Sequence, residues 1–292
     1  MLSRATGASS SGLRIAEGVD AIAPAPGRVI RVGRQSIIAD DCLAALARLE
    51  PESFDVCVTS PPYNIGIAYR SYRDRLPREV YLAWLGEVGA AIAKVLAPAG
   101  SFFLNLGSTG TDPWIAADVA RAMGAGFLLQ NQILWVKSFS EGDETIGHFK
   151  PINSARYLNQ NHEAIYHFTK TGAVPIDRLA VGVPFKDKSN IARWGHARDK
   201  RCAGNVWFIP YETVQSKTQK FGHPAGFPVE LPLRCIKLHG VETPRVLDPF
   251  LGAGTTLLAA ERLGAEGVGI EIDEGYVAAA VARIEADRLV AG

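Results

Sequence analysis

The most constraining feature of the chain is residues 54–64, which read Phe-Asp-Val-Cys-Val-Thr-Ser-Pro-Pro-Tyr-Asn. Residues 54–58 form a short apolar run with β-branched members, a pattern typical of a buried parallel strand. Two consecutive prolines then remove two N–H donors and fix the backbone in a turn, which leaves the carbonyls of Ser60 and Pro61 free for a ligand amine and Tyr63 free to stack. Ligands of open α/β sheets bind at the carboxyl ends of strands, where this turn would lie. A plain Pro-Pro turn that ends a strand is the alternative interpretation.

A second stretch, residues 245–256, reads Arg-Val-Leu-Asp-Pro-Phe-Leu-Gly-Ala-Gly-Thr-Thr. The pattern predicts a strand, a glycine-rich turn and then a helix. Gly252 and Gly254 would let the backbone approach a ligand closely, and Thr255 or Thr256 is expected to cap the helix.

The next predicted strand, residues 266–272, ends near Glu271. An acidic residue at this place is suited to the hydroxyl groups of a ribose. The two strands and the helix between them indicate a nucleoside-binding βαβ unit, although the full G-x-G-x-x-G fingerprint is absent.

Together, Thr-Ser-Pro-Pro-Tyr at 59–63 and Asp-Pro-Phe-x-Gly-x-Gly-Thr-Thr at 248–256 resemble a known family. They are similar to the motifs of the amino-methylating DNA methyltransferases, which use S-adenosylmethionine. The Pro-Pro-Tyr motif precedes the cofactor glycines, as in the beta group of that family. The resemblance covers roughly residues 35–285.

The resemblance implies two groups of site residues. The catalytic turn would consist of Ser60, Pro61, Pro62 and Tyr63. S-adenosylmethionine would be held by Asp41, Cys42, His223, Pro224, Phe227, Pro228, Asp248, Pro249, Phe250, Gly252, Gly254, Thr255, Thr256, Glu271 and Ile272.

Two of these cofactor assignments have a structural alternative. Asp41 stands at a strand–helix junction and would also serve as a helix cap. The segment 222–228, which contains the two prolines Pro224 and Pro228, is also an ordinary helix entry. A helix N-terminus nevertheless presents free N–H groups to a carboxylate, which is a physical reason for a binding role.

Strand and helix alternate along the chain, which predicts an α/β fold with a doubly wound, largely parallel sheet of the Rossmann-like methyltransferase type. In the helix expected at 77–96, the residues at helical spacing should face the core: Val80, Trp84, Val88, Ile92 and Val95. The predicted divisions are a mobile tail at 1–27, a catalytic half at 28–136, a basic target-recognition insertion at 137–222 with a sheet strand near 160–169, and a cofactor-binding half at 223–292.

The net charge of the 292 residues is only +1, but its distribution is uneven. Residues 137–220 contain 13 Lys and Arg against 8 Asp and Glu. Such a basic segment is typical of phosphate contacts, although a solvated charged loop is the alternative. The candidates for contact with duplex DNA are Lys186, Lys188, Asn190, Arg193, Trp194, Arg198, Lys200 and Arg201.

The remaining chemistry of the chain is sparse. The four cysteines show no C-x-x-C spacing, and His162, Glu163 and His167 have no further ligand at a suitable spacing, so no metal is expected. No apolar run approaches 18 residues, so no membrane partner is expected. The resemblance allows a homodimer and a cognate restriction endonuclease as further partners. It implies the cytoplasm of a bacterial or archaeal cell, close to the nucleoid.

The predicted reaction is methyl transfer to an exocyclic amine of a base flipped out of duplex DNA. Ser60 Oγ and the Pro61 carbonyl would accept the two N–H groups of the amine, and Tyr63 would stack on the base. In the family, Asp at the position of Ser60 usually accompanies N6-adenine methylation and Ser usually accompanies N4-cytosine methylation, so N4-cytosine is expected. The alternatives are N6-adenine, a planar amine outside DNA, and a DNA-binding protein with an inactive cofactor pocket.

Overall fold

The computed structural model describes residues 27–64, 66, 74–147, 154–193, 199–210 and 226–291. Within them the strands are β1 (Arg28–Val32), β2 (Gln35–Ala39), β3 (Phe54–Thr59), β4 (Leu96–Leu106), β5 (Leu128–Val136), β6 (Ser138–Glu141), β7 (Glu144–Gly147), β8 (His162–Thr169), β9 (Val206–Phe208), β10 (Arg245–Asp248) and β11 (Glu266–Glu271). The helices are α1 (Cys42–Leu46), α2 (Arg78–Val95), α3 (Ile115–Met123), α4 (Ser189–Arg193), α5 (Glu230–His239), α6 (Thr255–Arg262) and α7 (Glu274–Ala291).

One large sheet dominates the described residues, with the strand order β1-β2-β11-β10-β3-β4-β8-β5-β9. The five strands from β2 to β4 in this order run parallel to their neighbours. β8 runs antiparallel between β4 and β5, and β1 is an antiparallel edge. The prediction of a doubly wound, largely parallel α/β sheet is therefore confirmed.

Helices cover both faces of this sheet because alternate residues of each strand point to opposite sides. In β3, Cys57 packs with α1, α2 and α3, and Phe54 lies on the same face because the register shifts between Phe54 and Val56. Val56 and Val58, from the same strand, pack with α5 and α6 on the other face. α6 and α7 bury the end of the sheet that contains β2.

The buried face of α2 differs from the predicted one at its first turn. Val80 is 54% exposed, whereas Tyr81 and Leu85 are fully buried. The later positions of the stripe, including Val88 and Ile92, are buried as expected. The Tyr81 hydroxyl donates a hydrogen bond to the carbonyl of Pro62, so this contact orients the start of the helix.

A polar network lies buried between the sheet and α5. His167 Nε2 is 3.0 Å from Ser101 Oγ, which is 2.9 Å from His239 Nδ1. The Asn131 amide contacts His167 Nδ1 at 3.0 Å. Because Asn131 donates to Nδ1, Nε2 carries the hydrogen of a neutral ring. Burial, assisted by the nearby His239, lowers the pKa of His167 to about 4.

The segment predicted as an insertion contributes to the main sheet. β8 and β9 are sheet strands, and β6 and β7 form a separate hairpin. The boundaries of the proposed divisions stay a prediction, and residues 1–26 of the expected tail lie outside the described residues. No helix of the described ranges is long and apolar enough to span a membrane.

Candidate active site

Five parallel strands bring the predicted site residues to one edge of the sheet. β2, β11, β10, β3 and β4 lie side by side, so all their carboxyl ends meet at this edge. The predicted residues at or next to these ends are Asp41, Glu271, Asp248 and Ser60, and Asn105 of β4, which was not predicted, lies there too. After β10 the chain crosses to β11 on one side, and after β3 it crosses to β4 on the other. This reversal between β3 and β10 is the topological switch point at which open α/β sheets bind ligands.

The end of β3 is tied directly to the end of β10. Thr59 Oγ1 donates a 2.6 Å hydrogen bond to Asp248 Oδ1, and both residues are buried. Thr256 Oγ1, from the start of α6, donates to the Val58 carbonyl at 3.3 Å. These bonds fix the position of the Pro-Pro-Tyr turn relative to the glycine turn.

A continuous set of hydrogen bonds lies behind the Pro-Pro-Tyr turn. Ser60 Oγ donates to the Tyr63 hydroxyl at 3.0 Å, and the Tyr63 hydroxyl donates to Glu163 Oε2 at 3.1 Å. Asn105 Nδ2 donates to the Tyr63 oxygen at 3.1 Å and to Glu163 Oε2 at 2.7 Å. Lys137 Nζ donates to the other oxygen, Glu163 Oε1, at 2.6 Å. The side chains of Ser60, Asn105 and Lys137 therefore converge on one tyrosine and one carboxylate.

The sequence analysis did not predict Asn105 or Lys137 as site residues, and it did not predict that Glu163 lies beside Tyr63. Glu163 lies on β8, which pairs with β4 on one side and with β5 on the other. This antiparallel placement brings its side chain to the Asn105 end of β4 and next to Lys137, which follows β5. The polar residues 161–163, followed by an apolar run, indicate that a strand begins there, but they do not indicate which strands pair with it.

The glycine turn after β10 has the backbone that only glycine adopts easily. Gly252 has φ +53° and Gly254 has φ +80°. A Cβ atom on Gly254 would lie 2.8 Å from the Cβ of Ala280, so a larger residue is also excluded by space.

The expectation that Thr255 or Thr256 caps α6 was wrong. Gly254 is the N-cap residue, and no side chain caps the helix. Thr255 Oγ1 instead accepts a 2.7 Å hydrogen bond from Arg283 Nη1, while Thr256 bonds to β3 as described above. The first N–H groups of α6 are consequently not occupied by a side-chain cap.

Two carboxyl groups flank this turn: Glu271 is partly buried and Asp248 is buried. Glu271 accepts hydrogen bonds from the Gly252 N–H at 2.8 Å and the Asp273 N–H at 2.9 Å. Burial raises the pKa of Glu271, and these two bonds oppose the rise. Asp248 is 1% exposed, and burial raises its pKa to about 6 against the bonds from Thr59 and Phe250.

The two predicted residues that follow β2, at the start of α1, have structural roles. Asp41 Oδ1 accepts from the N–H groups of Leu43 at 2.9 Å and Ala44 at 3.0 Å, so it is the N-cap of α1. Cys42 is buried, and burial raises the pKa of its thiol to about 12, which keeps the thiol neutral.

The apolar members of the predicted cofactor set surround the glycine turn. Phe250 meets Trp84 of α2 edge-on, with ring centroids 5.7 Å apart. Pro249 is buried, and Ile272, at the end of β11, is 52% exposed. Before α5, the partly buried Phe227 and Pro228 are described, whereas His223 and Pro224 lie outside the described residues.

The basic stretch 186–201 is only partly described, since Trp194 and Arg198 lie outside the described residues. A backbone bridge between Val183 and Arg201 closes the stretch at its base. Lys188 forms an ion pair with Asp199. The side chains of the other described cations are surface-exposed or half-buried; they are Lys186, Arg193, Lys200 and Arg201, with Asn190 on α4 between them.

Comparison with known proteins agrees with this geometry. The model of the DNA methylase family that comprises N6- and N4-methyltransferases matches residues 54–282. The type II methyltransferase M.ScaI of Streptomyces caespitosus is 30% identical over 261 residues, which cover 85% of this chain and 80% of the relative. The DNA adenine methyltransferase YhdJ of Escherichia coli K12 is 28% identical over 260 residues, covering 86% and 83%.

Solved structures share the fold at lower identity. The cytosine-N4-specific PvuII DNA methyltransferase has a TM-score of 0.63 at 21% identity, with 88% of this chain and 93% of that chain covered. The complex of M1.HpyAVI with S-adenosylmethionine has a TM-score of 0.52 at 21% identity, covering 85% and 99%. The chain therefore belongs to the N6/N4 DNA methylase family and is an S-adenosylmethionine-dependent DNA methyltransferase.

Proposed function

We propose that the protein transfers the methyl group of S-adenosylmethionine to the exocyclic N4 of a cytosine at specific sites in duplex DNA. The observation that carries the proposal is Ser60 Oγ, which stands at the switch point and gives its hydrogen to Tyr63. The lone pairs of that oxygen are then directed elsewhere and can accept an N–H of the target amine. A Ser rather than an Asp at this position is the residue that usually accompanies N4-cytosine methylation in the family.

The proposed chemistry depends on holding a poor nucleophile. The amine lone pair is delocalised into the base ring, and hydrogen bonds to Ser60 Oγ and the Pro61 carbonyl would localise it on nitrogen. Tyr63 would stack on the base, while Pro61 and Pro62 hold the turn rigid. The contribution of the protein is positioning and electrostatic stabilisation, with no covalent enzyme intermediate.

The residues around the glycine turn fit S-adenosylmethionine, which supplies the activated methyl group. Glu271 accepts two backbone N–H groups but retains lone pairs for ribose hydroxyls. Gly252 and Gly254 allow close approach, and the uncapped start of α6 presents N–H groups. Phe250 and the exposed Ile272 offer apolar faces for an adenine ring. The full proposed set is Asp41, Cys42, His223, Pro224, Phe227, Pro228, Asp248, Pro249, Phe250, Gly252, Gly254, Thr255, Thr256, Glu271 and Ile272.

The target base must leave the duplex to reach a turn at the edge of the sheet, so base flipping is part of the proposal. The basic stretch 186–201 would hold the phosphates while the base is extruded. A cognate endonuclease that cuts the same site is proposed as a partner in the cell, because the relative M.ScaI is named a type II methyltransferase.

The test is mass spectrometry of nucleosides from duplex DNA of varied sequence, treated with the protein and S-adenosylmethionine. N4-methylcytosine is the expected product. N6-methyladenine as the only product would overturn the base assignment. Ser60→Ala should remove methylation while S-adenosylmethionine binding persists, which separates the catalytic role from the cofactor site.

N6-adenine is the second candidate because of one specific observation. YhdJ, 28% identical over most of both chains, is named a DNA adenine methyltransferase. The same turn would hold the N6 amine of adenine by the same two acceptors, so only the nature of the product distinguishes the two candidates.

A further inference from the structure

We propose that Glu163 is the terminal proton acceptor of the reaction, reached from the target amine through the hydroxyls of Ser60 and Tyr63. This inference rests on the proposed methylation of an exocyclic amine. The amine must lose one of its protons when it gains a methyl group, and no ionised group stands directly on the Pro-Pro-Tyr turn.

The hydrogens of the network can be assigned from its chemistry. An ionised carboxylate only accepts hydrogen bonds and a side-chain NH₂ group only donates them. The Tyr63 hydroxyl touches Glu163 Oε2 at 3.1 Å and Asn105 Nδ2 at 3.1 Å. The backbone carbonyl of Asn105 is a second acceptor, but it lies 3.4 Å from the Tyr63 oxygen and is uncharged. The nearer, ionised carboxylate is the stronger acceptor, so the hydrogen points to Glu163. The Ser60 hydroxyl, 3.0 Å from the Tyr63 oxygen, must then donate to it.

The orientation of Asn105 supports the same assignment. Its Nδ2 faces Glu163 and Tyr63, and its Oδ1 is buried without a hydrogen-bond partner among the described residues. A buried acceptor without a partner is costly. Reversing the amide would place Oδ1 against the carboxylate, which is worse. The arrangement is therefore the one expected around a charged, accepting Glu163.

Two further contacts hold Glu163 in place. Lys137 Nζ donates to Oε1 at 2.6 Å and leaves Oε2 for Tyr63 and Asn105. The side chain of Glu163 is 13% exposed, so the carboxylate is largely shielded from bulk water without being fully enclosed. Lys137 is already charged and cannot take the proton itself, so it serves as a positioning residue.

The proposed transfer balances in atoms and charge. The amine lone pair forms the new N–C bond while the bond between that carbon and sulfur breaks, and its electron pair stays on sulfur. The surplus proton on nitrogen passes to Ser60 Oγ, the Ser60 hydrogen passes to the Tyr63 oxygen, and the Tyr63 hydrogen passes to Glu163 Oε2. One sulfonium and one carboxylate become a neutral thioether and a neutral carboxylic acid.

The chain of bonds also explains how a serine can act where other members of the family carry an aspartate. A neutral hydroxyl is a weak acceptor, but hydrogen bonds in a series polarise one another. The negative charge of Glu163 thereby polarises the Ser60 hydroxyl through the Tyr63 hydroxyl and makes Ser60 Oγ a stronger acceptor. The carboxylate stands three hydrogen bonds away from the amine rather than next to it.

The test is the single-turnover rate of methyl transfer with DNA and S-adenosylmethionine saturating. Glu163→Gln and Tyr63→Phe should each lower this rate about 100-fold, the scale of general-base catalysis. Tyr63→Phe keeps the stacking ring and every contact between Glu163, Asn105 and Lys137. The double variant should be no slower than Tyr63→Phe alone, because both changes interrupt one route. Glu141→Gln, an exposed glutamate on the β6–β7 hairpin, is the matched control and should leave the rate unchanged.

A purely structural role would leave different results. If Glu163 and Tyr63 were only structural, the variants would change the affinity for S-adenosylmethionine or DNA, or the thermal unfolding temperature. The proton route predicts that all three quantities stay close to those of the wild type. The wild-type rate should be lower in deuterium oxide, and this solvent isotope effect should be lost in both single variants. Three results would each overturn the proton route. They are a Glu163→Gln rate equal to that of the wild type, a double variant whose rate loss is the product of the two single losses, and a wild-type rate without a solvent isotope effect.

The identity of the product separates this inference from the proposed function. N6-methyladenine from the wild type would overturn the cytosine assignment, while the same variant rates would still decide the route for that amine. N4-methylcytosine together with a fully active Glu163→Gln would overturn the route and leave the proposed function standing. A wild type that methylates no DNA would overturn both.

Discussion

The bond between Thr59 and Asp248 should contribute to stability in a manner that depends on pH. Thr59→Val keeps the shape of the side chain and removes the hydroxyl that donates to Asp248 Oδ1 at 2.6 Å. Hydrogen bonds to a charged group contribute about 2 kcal/mol and those between neutral groups about 1 kcal/mol. The free energy of unfolding should therefore fall by about 2 kcal/mol when Asp248 is ionised and by about 1 kcal/mol when it is protonated.

The direction with pH follows from the pKa of Asp248. Burial raises this pKa to about 6 from an ordinary value of 3.8, so the folded protein holds the proton more tightly than the unfolded chain. Above about pH 6 the carboxylate is charged in the folded state, and below it the carboxyl group is neutral. The loss caused by Thr59→Val should thus grow as the pH rises from 5 to 8.

Urea unfolding of wild type, Thr59→Val and Thr59→Ser at pH 5 and pH 8 measures the effect. Thr59→Ser keeps the hydroxyl and controls for the loss of the methyl group. A loss in Thr59→Val that is the same at both pH values, or that Thr59→Ser reproduces in full, would refute the reasoning.

Three further predictions concern other parts of the molecule. Because the pKa of His167 is lowered in the folded state, the wild type should lose stability as the pH falls from 6.5 toward 4. His167→Gln should make this pH-dependent loss smaller, as measured by urea unfolding. Trp84→Leu should weaken S-adenosylmethionine binding about threefold to tenfold in calorimetry, because the edge-on contact with Phe250 is lost, and unchanged binding would contradict this. Lys186→Ala should weaken duplex binding and lower the slope of log affinity against log salt by about one, whereas Lys188→Ala, whose cation is already paired with Asp199, should do less.

Much of the sheet could be predicted from the sequence because buried parallel strands leave a local trace. β3, β10 and β11 read as short apolar runs between turn residues, and the structure places them as central strands. The glycine turn was equally readable, since Gly252 and Gly254 adopt positive φ that other residues avoid.

Other features were misjudged because a neighbouring element decides them. Val80 fits the helical spacing as well as Tyr81 does, but only Tyr81 can reach the Pro62 carbonyl. Thr255 and Thr256 have the side chains of helix caps, yet Arg283 and the Val58 carbonyl engage their hydroxyls. Periodicity and capping preference do not include these partners.

The amino-acid sequence by itself determined the family, the doubly wound sheet, and the two turns on which the proposed chemistry depends. These features rest on local patterns: apolar runs, prolines that end a strand, and glycines that permit a turn. Only the tertiary structure decided that Asn105, Lys137 and Glu163 gather behind Tyr63. Their approach depends on β8 pairing antiparallel between β4 and β5, and strand pairing is a long-range choice of the whole sheet that no short stretch of sequence encodes.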